Sequence, residues 1–233
     1  MKIAPLNELE KQTKTGIWIG FVACWIVCVG DFAVNFGLGL QIPGYDFLRK
    51  TMSYLGRTGS PVAHWVKLWG VLFFVCFCLF ANGWWRAFPA KKRLAQQSSW
   101  LLIIYGLGEG LGSGLLPFNK VEGHLTDLGL LHEIFSGIGD AALFIFPLLA
   151  MQLFTKTQFR SVRAYSWIVV ALGLLLNMVF LCAKTMPSSG GIFSLSGLWQ
   201  RLFLFNYYLY FVIITLKTLH LNRRKERVVA TYS

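Results

Sequence analysis

Charged residues are scarce in this chain. They make up 14% of its 233 residues, against about 25% in a soluble domain. Acidic side chains are the rarest, with 10 Asp and Glu against 22 Lys and Arg. This scarcity excludes a soluble globular protein. It also excludes a disordered chain, which lacks apolar residues rather than charge. The 5 cysteines do not form the framework of a disulfide-stapled secreted mini-domain. No tandem repeat and no low-complexity tract is visible. What is abundant is apolar: 55% of residues are hydrophobic, 16% are aromatic and the mean hydropathy is +0.56. The chain is expected to be one polytopic membrane domain spanning residues 1–233, all-α.

A membrane helix needs about 20 mostly apolar residues to cross ~30 Å of hydrocarbon. Six windows meet that requirement, at about 16–37, 62–84, 99–118, 129–154, 165–184 and 195–219. Asn, Pro, Gly and Ser cluster between them, at Gln41–Pro61, Pro117–Asp127 and Met186–Gly191. The first run continues to full span length with no small-residue cleavage site, so it reads as a retained helix rather than a signal peptide.

Short loops rich in Lys and Arg stay cytoplasmic. Lys2, Lys11 and Lys14, then Arg86, Lys91, Lys92 and Arg93, then Lys156, Arg160 and Arg163, then Lys217, Arg223, Arg224, Lys225 and Arg227 all fall on one side. Only Arg49, Lys50, Arg57 and Lys120 fall on the other. Both termini are therefore expected in the cytoplasm, as an even number of spans requires. The basic balance then needs no nucleic acid: it reads as topology plus attraction to anionic lipid headgroups. The expected location is the plasma membrane, here the bacterial cytoplasmic membrane, with membrane lipid as the partner.

Cys24, Cys28, Cys76, Cys78 and Cys182 all lie inside apolar runs and read as small packing residues. Trp65, Trp69, Trp84, Trp85, Trp100, Trp167 and Trp199 lie mostly near span ends and are expected to form aromatic belts.

An ionised side chain in hydrocarbon costs at least about 2.5 kcal/mol, yet several remain. Asp31 lies in span one, Glu109 in span three, and His132, Glu133 and Asp140 in span four. Lys67 opens span two, Lys184 closes span five and Arg201 opens span six. Odd spans run outward and even spans inward, so all of these fall in the half facing away from the cytoplasm. His132, Ser136 and Asp140, at i, i+4 and i+8, are expected to form one stripe. The glycines alternating from Gly106 to Gly114 give small-xxx-small patterns on two faces, which permit close helix approach or a locally broken helix lining a cavity.

Two readings follow. Four acids can pair internally with three bases and His132 and merely fix helix register. Alternatively, they line a polar cavity. Such a cavity offers three chemistries: a metal held by His132 with carboxylates, which has few nitrogen ligands; His132 as the base for a Ser53, Thr51 or Ser136 nucleophile; or Lys184, Lys67 and Arg201 gripping an anionic headgroup, with His132, Glu109 and Asp140 orienting it or relaying protons. The last uses the most residues. The leading expectation is thus a cavity in the outer half of the bundle that binds an amphipathic, anionic lipid or hydrophobic small molecule through Arg201, Lys184, Asp31, Ser53, Trp199 and Lys67. The catalytic candidates are His132, Asp140 and Glu109. The alternatives are an intramembrane lipid hydrolase, a proton-coupled carrier using Glu109 and Asp140, and a structural subunit. The sequence identifies no cofactor and leaves open any metal, any enzymatic activity and the oligomeric state.

The loops carry a resemblance. The first reads Tyr45-Asp-Phe-Leu-Arg-Lys-Thr-Met-Ser53-Tyr54-Leu55-Gly56 and then Ser60-Pro61. The second has Leu116-Pro117, Asp127 and His132. Span six opens with Gly197-Leu-Trp199-Gln-Arg201. This order resembles the bacterial and archaeal membrane proteins of the domain-of-unknown-function 998 family, from about Ile17 to Leu219. More remotely it is similar to six-helix FRAG/DRAM-like membrane proteins. The resemblance implies a six-helix membrane fold with no established activity. It points to Ser53, Gly56, Pro117, Asp127, His132 and Arg201.

Overall fold

The computed structural model describes residues 6–121, 124–154, 160–186 and 190–232. Its long helices are α1 (Leu6–Gly39), α2 (Ala63–Arg86), α3 (Lys92–Tyr105), α4 (Asp127–Leu153), α5 (Arg160–Thr185) and α6 (Ser196–Tyr232). Five of them are long and apolar enough to cross a membrane: Gln12–Gly39, Ala63–Arg86, Asp127–Leu153, Arg160–Thr185 and Ser196–Asn222. The chain is therefore an all-α, multi-pass membrane protein. The expected third window behaves differently. α3 opens on the polar run Lys92, Arg93, Gln96, Gln97, Ser98 and Ser99, and from Gly106 to Ser113 the backbone winds as a π-helix.

The helices pack in sequence order, α1 on α2, α2 on α3, α3 on α4, α4 on α5 and α5 on α6, and α6 returns to α1. At one end of the bundle lie the loop 40–62, a two-stranded hairpin (β1 Lys120–Val121 and β2 His124–Leu125) and the start of α6. We call this the loop end. The start of α1 and the end of α6 lie at the other end. Thr126 caps α4, its hydroxyl accepting from the Gly129 N–H at 3.2 Å.

Lipid tails are as apolar as a protein core, so close packing and polar pairing hold such a bundle together. Both are visible. Phe21, Phe77, Phe80, Trp84, Phe146 and Phe211 form a buried aromatic column with ring centroids 5.3–6.4 Å apart. Trp65, Trp100 and Trp167 are exposed in keeping with belts, but Trp69 and Trp84 turn inward. Trp84 Nε1 donates to Ser98 Oγ at 2.9 Å, so burial has not orphaned it. Cys24 and Cys28 are buried free thiols.

Glycines set the crossings. α1 meets α2 at Gly20 and Gly83, where a Cβ on Gly20 would stand 2.7 Å from the Gly83 Cα. The π segment is wedged between two helices. Gly106, Gly110 and Gly114 face α2, and Gly108 and Gly112 face α4. A Cβ on Gly108 would lie 2.6 Å from the Phe135 carbonyl and 2.9 Å from the Gly139 Cα, and one on Gly110 would lie 2.7 Å from the Gly70 carbonyl. The two expected small-residue faces are both in use, and the expected break in regular α-helix takes the form of this π winding.

Candidate functional site

π segments recur at functional sites because the widened turn re-aims side chains. Here the turn carries Glu109 into the loop-end half of the bundle. Glu109 Oε1 accepts from Ser136 Oγ of α4 at 2.6 Å, and Oε2 accepts from Ser113 Oγ, one turn on, at 3.1 Å. Across the bundle, Asp31 of α1 is buried. Its Oδ1 accepts from Trp69 Nε1 of α2 at 2.8 Å and its Oδ2 from Tyr208 Oη of α6 at 2.9 Å. Because Tyr208 spends its proton on Asp31, the Tyr105 hydroxyl donates in the 3.0 Å contact between the two phenols. Asn35, one turn along α1, donates to the Asp31 carbonyl at 2.9 Å.

His132 of α4 is also buried, and its Nδ1 lies 2.9 Å from the Leu116 carbonyl. A carbonyl only accepts, so Nδ1 carries a proton, and in the neutral ring Nε2 is left as an acceptor. No described carboxylate bonds His132, so the Ser–His–acid arrangement that would activate Ser53 as a nucleophile is not assembled.

Asp31, Glu109 and His132 line one half-enclosed cavity, together with Ser53, Trp69, Tyr105, Tyr208 and Gln200. Its free space for water-sized groups is about 80 Å³. The lining contains carboxylates, hydroxyls and a histidine, and among the described residues no lysine or arginine.

The loop 40–62 roofs this cavity through Met52, Ser53 and Gly56. Arg201 holds the roof down. Its Nη1 donates to the Phe47, Lys50 and Gly197 carbonyls at 2.7, 3.1 and 2.9 Å, and its Nη2 donates to Tyr45 Oη at 3.0 Å. Gly197 lets the loop come close: a Cβ there would run into the Lys50 and Phe47 carbonyls. The spacing Gly197-x-x-x-Arg201 is thus one helical turn that receives a loop. Gln200 adds a bond from Met52 N–H to its Oε1 at 2.7 Å, and Ser196 Oγ donates to the Arg49 carbonyl at 2.7 Å.

The cations expected to grip an anion are occupied elsewhere. Arg201 turns both Nη groups to the loop and to the Gly197 carbonyl, leaving only its buried Nε without a partner. Lys184 Nζ sits 2.6 Å from both Glu133 oxygens. Lys67 is exposed and outside the lining. Lys50 and Arg57 lie over the Tyr54 ring at 4.7 and 3.9 Å. Trp199 donates to the Ile192 carbonyl at 2.8 Å. Asp140 also lies outside the cavity, for a reason of helix pitch. Each i+4 step drifts 40°, so two steps carry Asp140 about 80° from His132 and nearer to the Glu133 face. The expected stripe holds for His132 and Ser136 and bends away at Asp140. Pro117 follows the helical run in the loop approaching the hairpin, and Asp127 is exposed in the first turn of α4. Among the described residues, no three His, Cys, Asp or Glu side chains gather as a metal set.

The sequence reading missed Trp69, Tyr105, Tyr208, Asn35 and Gln200. Asn35 stands one turn from Asp31, and Ser113 one turn from Glu109, so a polar residue at i+4 from a buried acid was a usable signal. The three aromatic partners looked like any others in an aromatic-rich chain.

No curated protein and no solved structure matches the chain. The family model described as "Protein of unknown function (DUF998)" matches residues 16–217. With most of its length covered, the chain belongs to that family.

Proposed function

We propose that this chain is a single six-helix domain of the cytoplasmic membrane, with both termini inside. In this arrangement α3 and its π continuation make the third of six crossings, and the loop end faces outward. Its function is to bind an amphipathic molecule whose small polar head enters the cavity. The head is a hydrogen-bond donor, best a primary ammonium, rather than an anion. One observation carries this: Asp31, Glu109 and His132 line a cavity with no lysine or arginine among its described lining residues. A desolvated anion would meet two carboxylates there, whereas an ammonium has three donors to offer them. The small free volume admits a head of that size and leaves the tail to the bilayer.

The test uses two matched probes, dodecylammonium and dodecanoate, added below micelle-forming concentrations to the purified protein. Native mass spectrometry and thermal unfolding report binding. The ammonium probe is expected to bind and stabilise the wild type and to lose most of that effect in Glu109→Gln. Equal or tighter binding of dodecanoate overturns the reading. A reporter fused to the C-terminus checks the orientation: it is expected to be active as a cytoplasmic fluorescent protein and inactive as an exported phosphatase.

A further inference from the structure

α4 and α5 run antiparallel, and the Glu133–Lys184 ion pair marks their register. Seven residues further from the loop end on each helix, two turns away and on nearly the same face, stand Asp140 and Asn177. One more turn on stand Phe144 and Gly173. Tyr207 of α6 enters at that level. Its ring centroid lies 5.9 Å from that of Phe144, and its Oη presses on Gly173 so closely that a Cβ would not fit. The hydroxyl therefore ends in the α4–α5 seam, one turn beyond Asp140 and Asn177.

Two atoms in this seam lack a partner. Tyr207 is 0% exposed and its Oη makes no hydrogen bond. Asn177 Oδ1 is buried and equally bare. Nearly all buried polar atoms in native proteins are bonded, to protein, water or an ion. The cavity described above does not account for them, because Asp140, Asn177 and Tyr207 all lie outside its lining.

A carboxylate, an amide oxygen and a phenol are hard oxygen donors with one negative charge among them. Such a set suits a small hard cation rather than a transition metal, and a single carboxylate balances one positive charge. The geometry points to a second site, in which Asp140, Asn177 Oδ1 and Tyr207 Oη hold a small monovalent cation, either a sodium ion or hydronium. The charged groups around it are Glu133 and Lys184, already paired with each other, and Glu109. Glu109 reaches in from the π segment, close enough to Gly139, the neighbour of Asp140, that a Cβ there would stand 3.1 Å from its Cγ. Its charge draws a cation to the site and couples that site to the outer cavity. The inference does not depend on what the cavity binds.

Thermal unfolding of the purified full-length chain tests it, with choline chloride exchanged stepwise for sodium chloride at constant ionic strength, at alkaline and at acidic pH. If sodium is the occupant, the wild type gains stability saturably with sodium at alkaline pH. If hydronium is the occupant, it gains stability on acidification in choline alone. Asp31, Glu109 and His132 also titrate, so the acid arm is read as the difference between wild type and Asp140→Asn. Either response is expected to vanish in Asp140→Asn. Asn177→Leu and Tyr207→Phe are each expected to weaken it about tenfold, as loss of one oxygen ligand would. Should Asp140→Asn fail to fold, Tyr207→Phe, which removes a single atom, carries the test. The site is refuted if neither sodium nor acid separates wild type from Asp140→Asn, or if Tyr207→Phe and Asn177→Leu respond as the wild type does.

Discussion

The Arg201 guanidinium and the Phe47 carbonyl lie 2.7 Å apart, although one opens the last helix and the other belongs to the first loop. Two further carbonyls and the Tyr45 hydroxyl share the same guanidinium. Hydrogen bonds to a charged group are worth roughly 1.5–3 kcal/mol each, and a planar fork spans acceptors that an ammonium cannot. Arg201→Met is expected to destabilise the folded chain by about 3 kcal/mol and to leave the loop 40–62 open to protease while the helical circular dichroism persists. Arg201→Lys is expected to recover only part of the protection. Limited proteolysis with mass mapping of the cut sites checks both.

Tyr45 ties the same roof to pH. Its hydroxyl donates to the Thr51 carbonyl at 2.9 Å. Burial pushes the phenol above the usual tyrosine range, and the neighbouring Arg201 charge pulls it only partly back. The folded loop therefore holds this proton to higher pH than the unfolded chain does. The contribution is complete below about pH 10, the unfolded value, and is lost as pH rises through the folded one. Protease sensitivity of the loop is expected to climb in that alkaline window. In Tyr45→Phe it should be raised already at neutral pH and rise less steeply.

Glycine positions separate by what surrounds them. Gly108→Ala forces a methyl against the Phe135 carbonyl and the Gly139 backbone of α4, neither of which can swing away. A loss of about 2 kcal/mol or more is expected, as for overpacked cores. Gly137→Ala, on the same helix α4 with nothing within 4 Å of the added carbon, is expected to be neutral or to gain up to about 1 kcal/mol from helix propensity. Unfolding midpoints of the two variants in one detergent decide the contrast. Equal losses would mean that the π segment does not pack on α4 as described.

Asp31 distinguishes charge from shape. Trp69 and Tyr208 both donate to it. In Asp31→Asn the amide oxygen keeps Trp69, and the amide N–H₂ donates to Tyr208, whose proton then turns to Tyr105. The hydroxyl chain reverses and stability changes by less than about 1 kcal/mol, while the ammonium probe loses affinity. In Asp31→Leu the Trp69 and Tyr208 donors are left bare, at about 1–3 kcal/mol each. Thermal unfolding beside probe binding reads the two effects separately.

Hydropathy made the helices legible because a membrane span is a length requirement. Gly16–Gly37 falls within α1 and Tyr165–Lys184 within α5, while Val62–Trp84 and Leu195–Leu219 each begin one residue before α2 and α6. That Asp31, Glu109 and His132 stand at one level of the bundle was legible for the same reason, since position along a helix gives height. Rotation was not. An i+4 series tracks a face for one step and drifts off it by the second, which moved Asp140 to another seam. The role of Arg201 was hidden for a different reason. A buried guanidinium reads as an anion site from sequence, and only the fold shows backbone carbonyls from residues 47 and 50 already occupying its Nη1. Loop carbonyls carry no sequence signature, and the glycine that admits them, Gly197, looks like any helix-start glycine.

Glu133 and Lys184, the pair that marks the α4–α5 register, are coupled across the two helices. Their side chains are 25% and 21% exposed, and Nζ contacts both carboxylate oxygens at 2.6 Å. Removing one partner leaves a largely buried charge unpaired, whereas removing both costs far less, because the desolvation penalty goes with the charges. Lys184→Met is therefore expected to destabilise the chain by about 3 kcal/mol, Glu133→Gln by somewhat less, and the double variant Glu133→Gln/Lys184→Met by no more than about 1 kcal/mol. The coupling in that cycle is the measurement. A coupling near zero would mean that the two side chains do not face each other, and the register that places Asp140 opposite Asn177 would fail with it. A coupling of about 2 kcal/mol or more fixes the seam independently of any ligand, since both residues lie outside the cavity lining.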